Sequence, residues 1–149
     1  MKIVSVLENQ KTEKRIAITP EIAKKYLALG LEVILHANYG NHLGIDDTEY
    51  TKIGASISKD EKEIINNADV IVQMGLLSDD KCSYIRENQT LIGVLNPYVN
   101  KEKLEKLAKK KVNLFSLELL PRITRAQSMD ILSSQANLAG YKAVIESFA

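Results

Sequence analysis

The chain has 149 residues, 45% of them hydrophobic and 26% charged, and a formal net charge of +1; this composition fits one globular domain and leaves no excess field to attract nucleic acid or an anionic membrane. Cys82 is the single cysteine, and His36 and His42 are the two histidines, so an internal disulfide is excluded, no metal-ligand spacing is present, and a reducing, cytoplasmic setting is expected. Met1 runs directly into a strand-like segment and nowhere do ~18 apolar residues follow one another, so direct membrane insertion is not expected.

Short β-branched runs alternate with helical patterns along the whole chain. Ile3 to Leu7 reads as a strand, and Pro20 to Leu29 as a helix with Thr19 as its cap, Pro20 in its first turn and Gly30 as its stop. Leu31 to Ala37 is the second strand. Asp46 or Asp47 caps a short helix through Ile53, closed by Gly54 and followed by a short third strand, Ala55 to Ser58. Lys59 to Asn67 is a charged helix, and D-V-I-V-Q-M (Asp69 to Met74) is the most strand-like segment of all. An acid-led helix around Asp79 to Glu87 and a strand at Thr90 to Leu95 follow. A helix at Lys101 to Lys110, with Leu104, Leu107 and Ala108 on one face, leads to a sixth strand at Val112 to Leu117.

This alternation predicts one α/β domain over 1–149, a doubly wound, flavodoxin-like (Rossmann-like) parallel sheet with helices on both faces. Ligands of such sheets sit at the carboxyl ends of strands. The loops Glu8 to Thr19, Tyr39 to Asp46, Gly75 to Asp80, Asn96 to Asn100 and Glu118 to Ser128 are therefore the candidate locations.

The last of these opens the most distinctive stretch, P-R-I-T-R-A-Q-S-M-D-I-L-S-S-Q-A-N-L-A-G-Y (Pro121 to Tyr141). A plain connection needs only ~2–6 residues, and a long polar loop is more often a site than a link. Pro121 ends the apolar run, and Ser128 is read as the N-cap of a helix beginning near Met129. Leu132, Ala136, Ala139 and Ala143 recur at helical spacing and are expected to face a core, with Asp130, Ser133 or Ser134 and Asn137 on the polar side and Gly140 permitting close packing. Arg122, Gln127, Asp130 and Ser133 then converge at one helix N-terminus. Together they offer a guanidinium, an amide, a carboxylate and a hydroxyl, which suits a ligand carrying an amide and hydroxyls, such as nicotinamide riboside. Spacing alone fits equally an Arg–Asp pair that ties down the loop above a capped helix.

Other features carry less. The lysines from Lys101 to Lys111 are interleaved with Glu102 and Glu105 and have no aromatic platform, the pattern of a solvated face. Gly40 and Gly44 in Y-G-N-H-L-G mark a turn, and His42 between them is read as an exposed polar residue. Arg15, in the first cleft-side loop, is suited either to gripping a carboxylate or to fixing a neighbouring loop. No G-x-G-x-x-G turn occurs, so these residues by themselves do not hold a dinucleotide in the usual manner.

R-I-A-I-T-P (Arg15 to Pro20), L-G-L-E-V (Leu29 to Val33) and above all the stretch from Pro121 to Tyr141 resemble the N-terminal domain of the alanine dehydrogenase and nicotinamide nucleotide transhydrogenase superfamily. The long stretch looks like the Arg-Gln-Asp loop of the NAD(H)-binding alpha subunit of a proton-translocating transhydrogenase. That resemblance implies catalytic roles for Gln127, Asp130 and Arg122. It implies cofactor binding by Arg122, Gln127, Ser128, Met129, Asp130 and Ser133, which would hold the nicotinamide of NAD(H) against NADP(H) on a partner component.

The resemblance also implies a following NAD-binding Rossmann domain that is absent here, with the sequence stopping inside the long helix, so that this fragment alone is expected to be inactive. It implies NADP(H)-binding and membrane-spanning partner components, a homodimer of the complete subunit, and peripheral association with the inner membrane through those partners. Alanine dehydrogenases use a lysine after the fourth strand and a histidine after the fifth, where this chain has Gly75 and Asn96; neither can do that chemistry. Arg15 matches an arginine that grips substrate in the dehydrogenases but is shared across the superfamily. The alternatives are an alanine-dehydrogenase-like amino-acid oxidoreductase and a non-catalytic nucleotide-sensing or interaction domain. A response-regulator-like interaction domain would need an acidic pocket after the first strand, for which Glu8 alone is slender support.

Overall fold

The computed structural model describes residues 1–148. Among these, six strands, β1 (Lys2–Ser5), β2 (Glu32–His36), β3 (Ser56–Ser58), β4 (Val70–Gly75), β5 (Thr90–Val94) and β6 (Asn113–Ser116), form one parallel sheet in the order β3-β2-β1-β4-β5-β6. Six helices of the described residues accompany them: α1 (Pro20–Ala28), α2 (Asp47–Lys52), α3 (Glu61–Asn66), α4 (Asp79–Ser83), α5 (Lys101–Lys109) and α6 (Ile131–Ser147). The doubly wound, Rossmann-like class expected from the sequence is present. Within it the order is the dinucleotide-fold one, since β4 adjoins β1 where a flavodoxin order would place β3. The winding direction reverses between β1 and β4. That makes the loops leaving these two strands the walls of the switch-point crevice.

The sheet is covered on both faces, and the period of two within β1 shows how. Ile3 packs with Val33, Leu35, Ala23, Tyr39 and Tyr50 beneath α1 and α2. Its neighbour Val4 packs with Ile64, Ile65, Ile71, Leu91 and Leu107 beneath α3, α4 and α5. Local chemistry fixes the helix starts. Thr19 Oγ1 accepts the Ile22 amide at 3.4 Å, and Asp60 accepts the Glu63 amide at 2.9 Å. Asp46 accepts the Thr48 amide at 2.8 Å while its own amide donates to Glu49 at 3.3 Å. Gly30 and Gly54 end the first two helices at φ of 78° and 98°, a region that costs glycine nothing.

Three expectations are corrected. The helix expected through Glu87 stops at Ser83, because Ile85 is drawn into the core and the buried Gln89 amide donates to the carbonyls of Ile65 and Ala68 at 2.7 and 2.6 Å. Ala108 is exposed, so the buried face of α5 is narrower than its periodicity suggests and rests on Leu107 with Leu104 beside it. On α6 no described residue is buried: Ala136, Ala139 and Ala143 are exposed, and a Cβ at Gly140 would meet nothing. Its apolar side chains are spread around the helix; Leu132 borders a cavity shared with β4 and β5, while Leu138, Tyr141, Val144 and Ile145 are exposed.

Candidate functional site

After β6 the chain makes a single 3₁₀ turn, Leu117–Leu119, and a longer one, Thr124–Met129, whose Ala126 is buried and anchors the loop. The cap of α6 is Asp130, not Ser128, and the helix begins at Ile131. Asp130 Oδ1 accepts the Ser133 amide at 3.0 Å, and Oδ2 accepts the Ser133 hydroxyl at 2.6 Å. Ser128 lies inside the 3₁₀ winding, whereas Asp130 has the extended backbone of an N-cap, φ −75° and ψ 91°.

This winding brings Arg122, Thr124, Gln127, Asp130 and Ser133, with Ile123, around one cavity of about 270 Å³. Ser128 and Met129 are exposed and stand outside its lining. The Ser133 hydroxyl above all, then the Ser133 amide and more weakly the Arg122 charge, hold the Asp130 carboxyl below the usual carboxylate range. The simple Arg–Asp tie is not formed: among the described residues no ion pair within 4.0 Å joins Arg122 to Asp130. Arg122 and Gln127 have no side-chain hydrogen bond to any described residue. A guanidinium, an amide and a carboxylate therefore share one small cavity with donor capacity to spare.

At the switch point lies a second cavity, about 410 Å³, bordered by Glu8, Glu13, Gln73, Gly75 and Lys81. A buried polar chain leads into it. The Tyr39 hydroxyl accepts the Ala17 and Ile18 amides at 3.0 and 3.2 Å and shares a 2.7 Å bond with Ser5. Ser5 donates to Gln73 Oε1 at 2.7 Å, and Gln73 Nε2 donates to Glu8 at 3.1 Å. Glu8 also accepts the Met74 amide at 2.6 Å. Burial nevertheless pushes its carboxyl up, against the pull of the backbone amides. Lys81 spans the far wall, donating to Leu7 O at 2.9 Å and Glu61 at 2.8 Å. Sequence reasoning missed this chain. The signal available was Gln73, a polar residue at the inward phase of an otherwise apolar strand.

The remaining candidates fall as follows. Arg15 forms a two-pronged pair with Glu13, Nε to Oε1 at 2.8 Å and Nη2 to Oε2 at 2.7 Å, and its Nη1 donates to Gln135 of α6 at 2.8 Å. Beside it is a largely apolar cavity of about 350 Å³ bordered by Met74, Val94, Leu117, Ile131 and Leu132. Gly75 ends β4 in open space, and Asn96 follows β5 at φ 47° with its amide on Glu118 at 2.5 Å. Gly44 closes a 3₁₀ turn at φ 77°, and His42 is exposed with bonds to Lys14 O at 2.8 Å and Gln10 at 3.3 Å. Lys101, Lys106, Lys109, Lys110 and Lys111 are exposed, as on a solvated face, whereas Lys103 is half-buried and reaches Asp79 at 2.8 Å and the Leu77 carbonyl at 3.1 Å. Among the described residues no group of three potential ligands could hold a metal ion, and no helix is long and apolar enough to cross a membrane.

Residues 5–139 match the family described as Alanine dehydrogenase/PNT, N-terminal domain. The chain belongs to this family. It is 43% identical over 150 residues to an NAD(P) transhydrogenase subunit alpha protein of Rickettsia prowazekii, an alignment covering 98% of the chain and 39% of that protein. A solved transhydrogenase from Sinorhizobium meliloti superposes with a TM-score of 0.89 at 41% identity, over 97% of this chain and 43% of the other. Alanine dehydrogenase 1 of Staphylococcus aureus is 29% identical over 145 residues, covering 97% of the chain and 38% of that enzyme. Within the family, the chain is thus more similar to these transhydrogenases than to that dehydrogenase. It spans about two fifths of the length of each of these relatives.

Proposed function

We propose that this domain is the nicotinamide-facing part of the NAD(H)-binding alpha subunit of a proton-translocating NAD(P) transhydrogenase. The carrying observation is the cavity that gathers Arg122, Gln127, Asp130 and Ser133 while leaving Arg122 and Gln127 without a protein partner among the described residues. In this reading NADH supplies a hydride, which passes directly to NADP+ on a partner component. Gln127 offers both a donor and an acceptor to the nicotinamide carboxamide, Asp130 is held ionised by Ser133 and accepts from donors of the ligand, and the Arg122 guanidinium holds an oxygen. Their contribution is orientation, since placing reactants within near-attack distance is where fixed side chains act most strongly.

The cavity, at about 270 Å³, takes one end of a dinucleotide, below the ~300–1,000 Å³ of whole-ligand pockets. A Rossmann domain carrying the phosphate-cradling glycines would hold the rest. The same proposal includes membrane-spanning partners that couple transfer to proton movement, a dimeric complete subunit, and a cytoplasmic position against the inner membrane. An amino-acid oxidoreductase is disfavoured, because neither Gly75 nor Asn96 supplies a cation or a base.

The test uses NADH deuterated at the transferred position, with the complete subunit and its partner components. Deuterium retained in NADPH supports the reading. Its loss to solvent, or no NADPH at all, contradicts it.

A further inference from the structure

All three Arg15 guanidinium nitrogens are engaged. Glu13 takes Nε and Nη2 in a two-pronged pair, and Nη1 donates to Gln135 at 2.8 Å, joining residues 120 positions apart. Among the described residues this is the one side-chain hydrogen bond that ties α6 to the domain before residue 124. α6 buries none of its described side chains, so little else fixes its direction: the 3₁₀ turn at Leu117–Leu119, on which it rests, and the half-buried Ile131 at its start. Gln135 lies two positions after Ser133, in the second turn of the helix whose first turn carries the Asp130 wall of the cavity.

From this geometry we infer that Arg15, locked by Glu13, is a positioning residue: through Gln135 it fixes the first two turns of α6, and with them the placement of Asp130 and Ser133 opposite Arg122 and Gln127. A guanidinium held at two nitrogens by a carboxylate is pre-organised, so its third nitrogen engages Gln135 with little further loss of rotamer freedom. Glu13 fills the Nε/Nη2 edge of Arg15, so a ligand carboxylate would have to displace Glu13 or use the N–H groups left on Nη1 and Nη2. The functional consequence rests on the nicotinamide reading above, while the mechanical one does not.

The experiment takes the complete subunit as Arg15→Ala, Gln135→Ala, the double variant and Gln135→Glu. Hydrogen exchange at the Ser133 and Ser134 amides is measured without nucleotide, and hydride transfer and NADH affinity with the partner components. Exchange is expected to accelerate in both single variants, and transfer to fall about 10-fold or more with the NADH dissociation constant within about twofold, because a misplacement near 1 Å can cost ~100-fold in rate. The double variant is expected to be no worse than either single one, and Gln135→Glu, which keeps the acceptor, to stay close to the unaltered protein. Unchanged exchange in Gln135→Ala overturns the inference. So does a transfer defect in Arg15→Ala that Gln135→Ala does not share, or strictly multiplying defects in the double variant. Should the unaltered assembly carry out no transhydrogenation, the exchange results alone decide on the Arg15–Gln135 tie, and only the functional reading falls.

Discussion

Asp130 receives two hydrogen bonds from Ser133, one from the amide at 3.0 Å and one from the hydroxyl at 2.6 Å. One carboxylate thus closes the first turn of α6 and forms a wall of the candidate site, so the helix start and the site geometry cannot vary independently. The hydroxyl bond is the leading cause of the carboxyl's depressed pKa.

Ser133→Ala should therefore raise the Asp130 pKa while leaving the amide cap in place. A carboxyl depressed in the folded state adds stability above its unfolded value of 3.8, and that stability is lost as pH falls through the folded pKa. In the variant the folded pKa lies closer to 3.8, so this contribution should be smaller and its loss complete at a higher pH. Carboxyl-carbon NMR titration of Asp130 measures the shift, and an unchanged midpoint would mean that the hydroxyl bond contributes nothing.

Tyr39→Phe should destabilise the domain with no direct effect on the loop cavity. The lost hydroxyl leaves the buried Ile18 amide, the Ala17 amide and Ser5 without their partner. Unsatisfied buried groups cost about 1–3 kcal/mol, and at this chain length each kcal/mol lowers Tm by about 2–4 °C. Thermal unfolding with an unaltered midpoint would show that the polar chain is replaced by water at no cost.

Most of the sheet was legible because both of its faces are covered: Ile3 to Leu7 and Asp69 to Met74 are nearly continuous apolar runs, as buried parallel strands require. An aspartate before α2 and Gly54 after it made that helix legible, while the choice of Asp46 over Asp47 as its cap, with Glu49 reaching back, came from the structure. The start of α6 was less legible, because Ser128 and Asp130 are both competent caps and the choice depends on where the preceding 3₁₀ turn ends. Its buried face was misread for another reason: Ala136, Ala139 and Ala143 have helical spacing, but burial also needs a neighbour, and none of the described elements supplies one. For the loop cavity the clustering of Arg122, Gln127, Asp130 and Ser133 was foreseeable from composition and spacing. The bond from Arg15 to Gln135 was not, because no local pattern relates positions 120 residues apart.

Glu8→Gln should raise stability at neutral pH, since burial raises the Glu8 pKa and its ionised form is disfavoured in the folded chain. The sign is opposite to that of Asp130. The penalty applies above the folded pKa, shrinks as pH falls through it, and is gone below the unfolded value of 4.5. The Tm gain of the variant should therefore narrow on going from pH 7 to pH 4.5. A gain that is constant across this range would rule out titration of Glu8 as its source.

Alanine should not be oxidised, even by the complete protein, because Gly75 and Asn96 offer neither a cation for a carboxylate nor a base near neutral pH. Alanine-dependent NADH formation by the complete protein, followed by absorbance, would reverse the choice between the two branches of the family.

The placement of Gln127 gives the most direct test. Gln127→Asn keeps the amide but withdraws it by one methylene, so in the assembled enzyme it should slow hydride transfer by about 100-fold, the scale of a 1 Å misplacement. NADH affinity should change far less, since one neutral hydrogen bond is worth only about 0.5–1.5 kcal/mol, and Tm should not move, because the Gln127 side chain has no bond to a described residue. Stopped-flow transfer, measured beside NADH titration and thermal unfolding, separates these effects. A slow step with near-normal affinity and unchanged Tm is the expected result; normal transfer per folded molecule in Gln127→Asn would contradict a nicotinamide-positioning role for this loop.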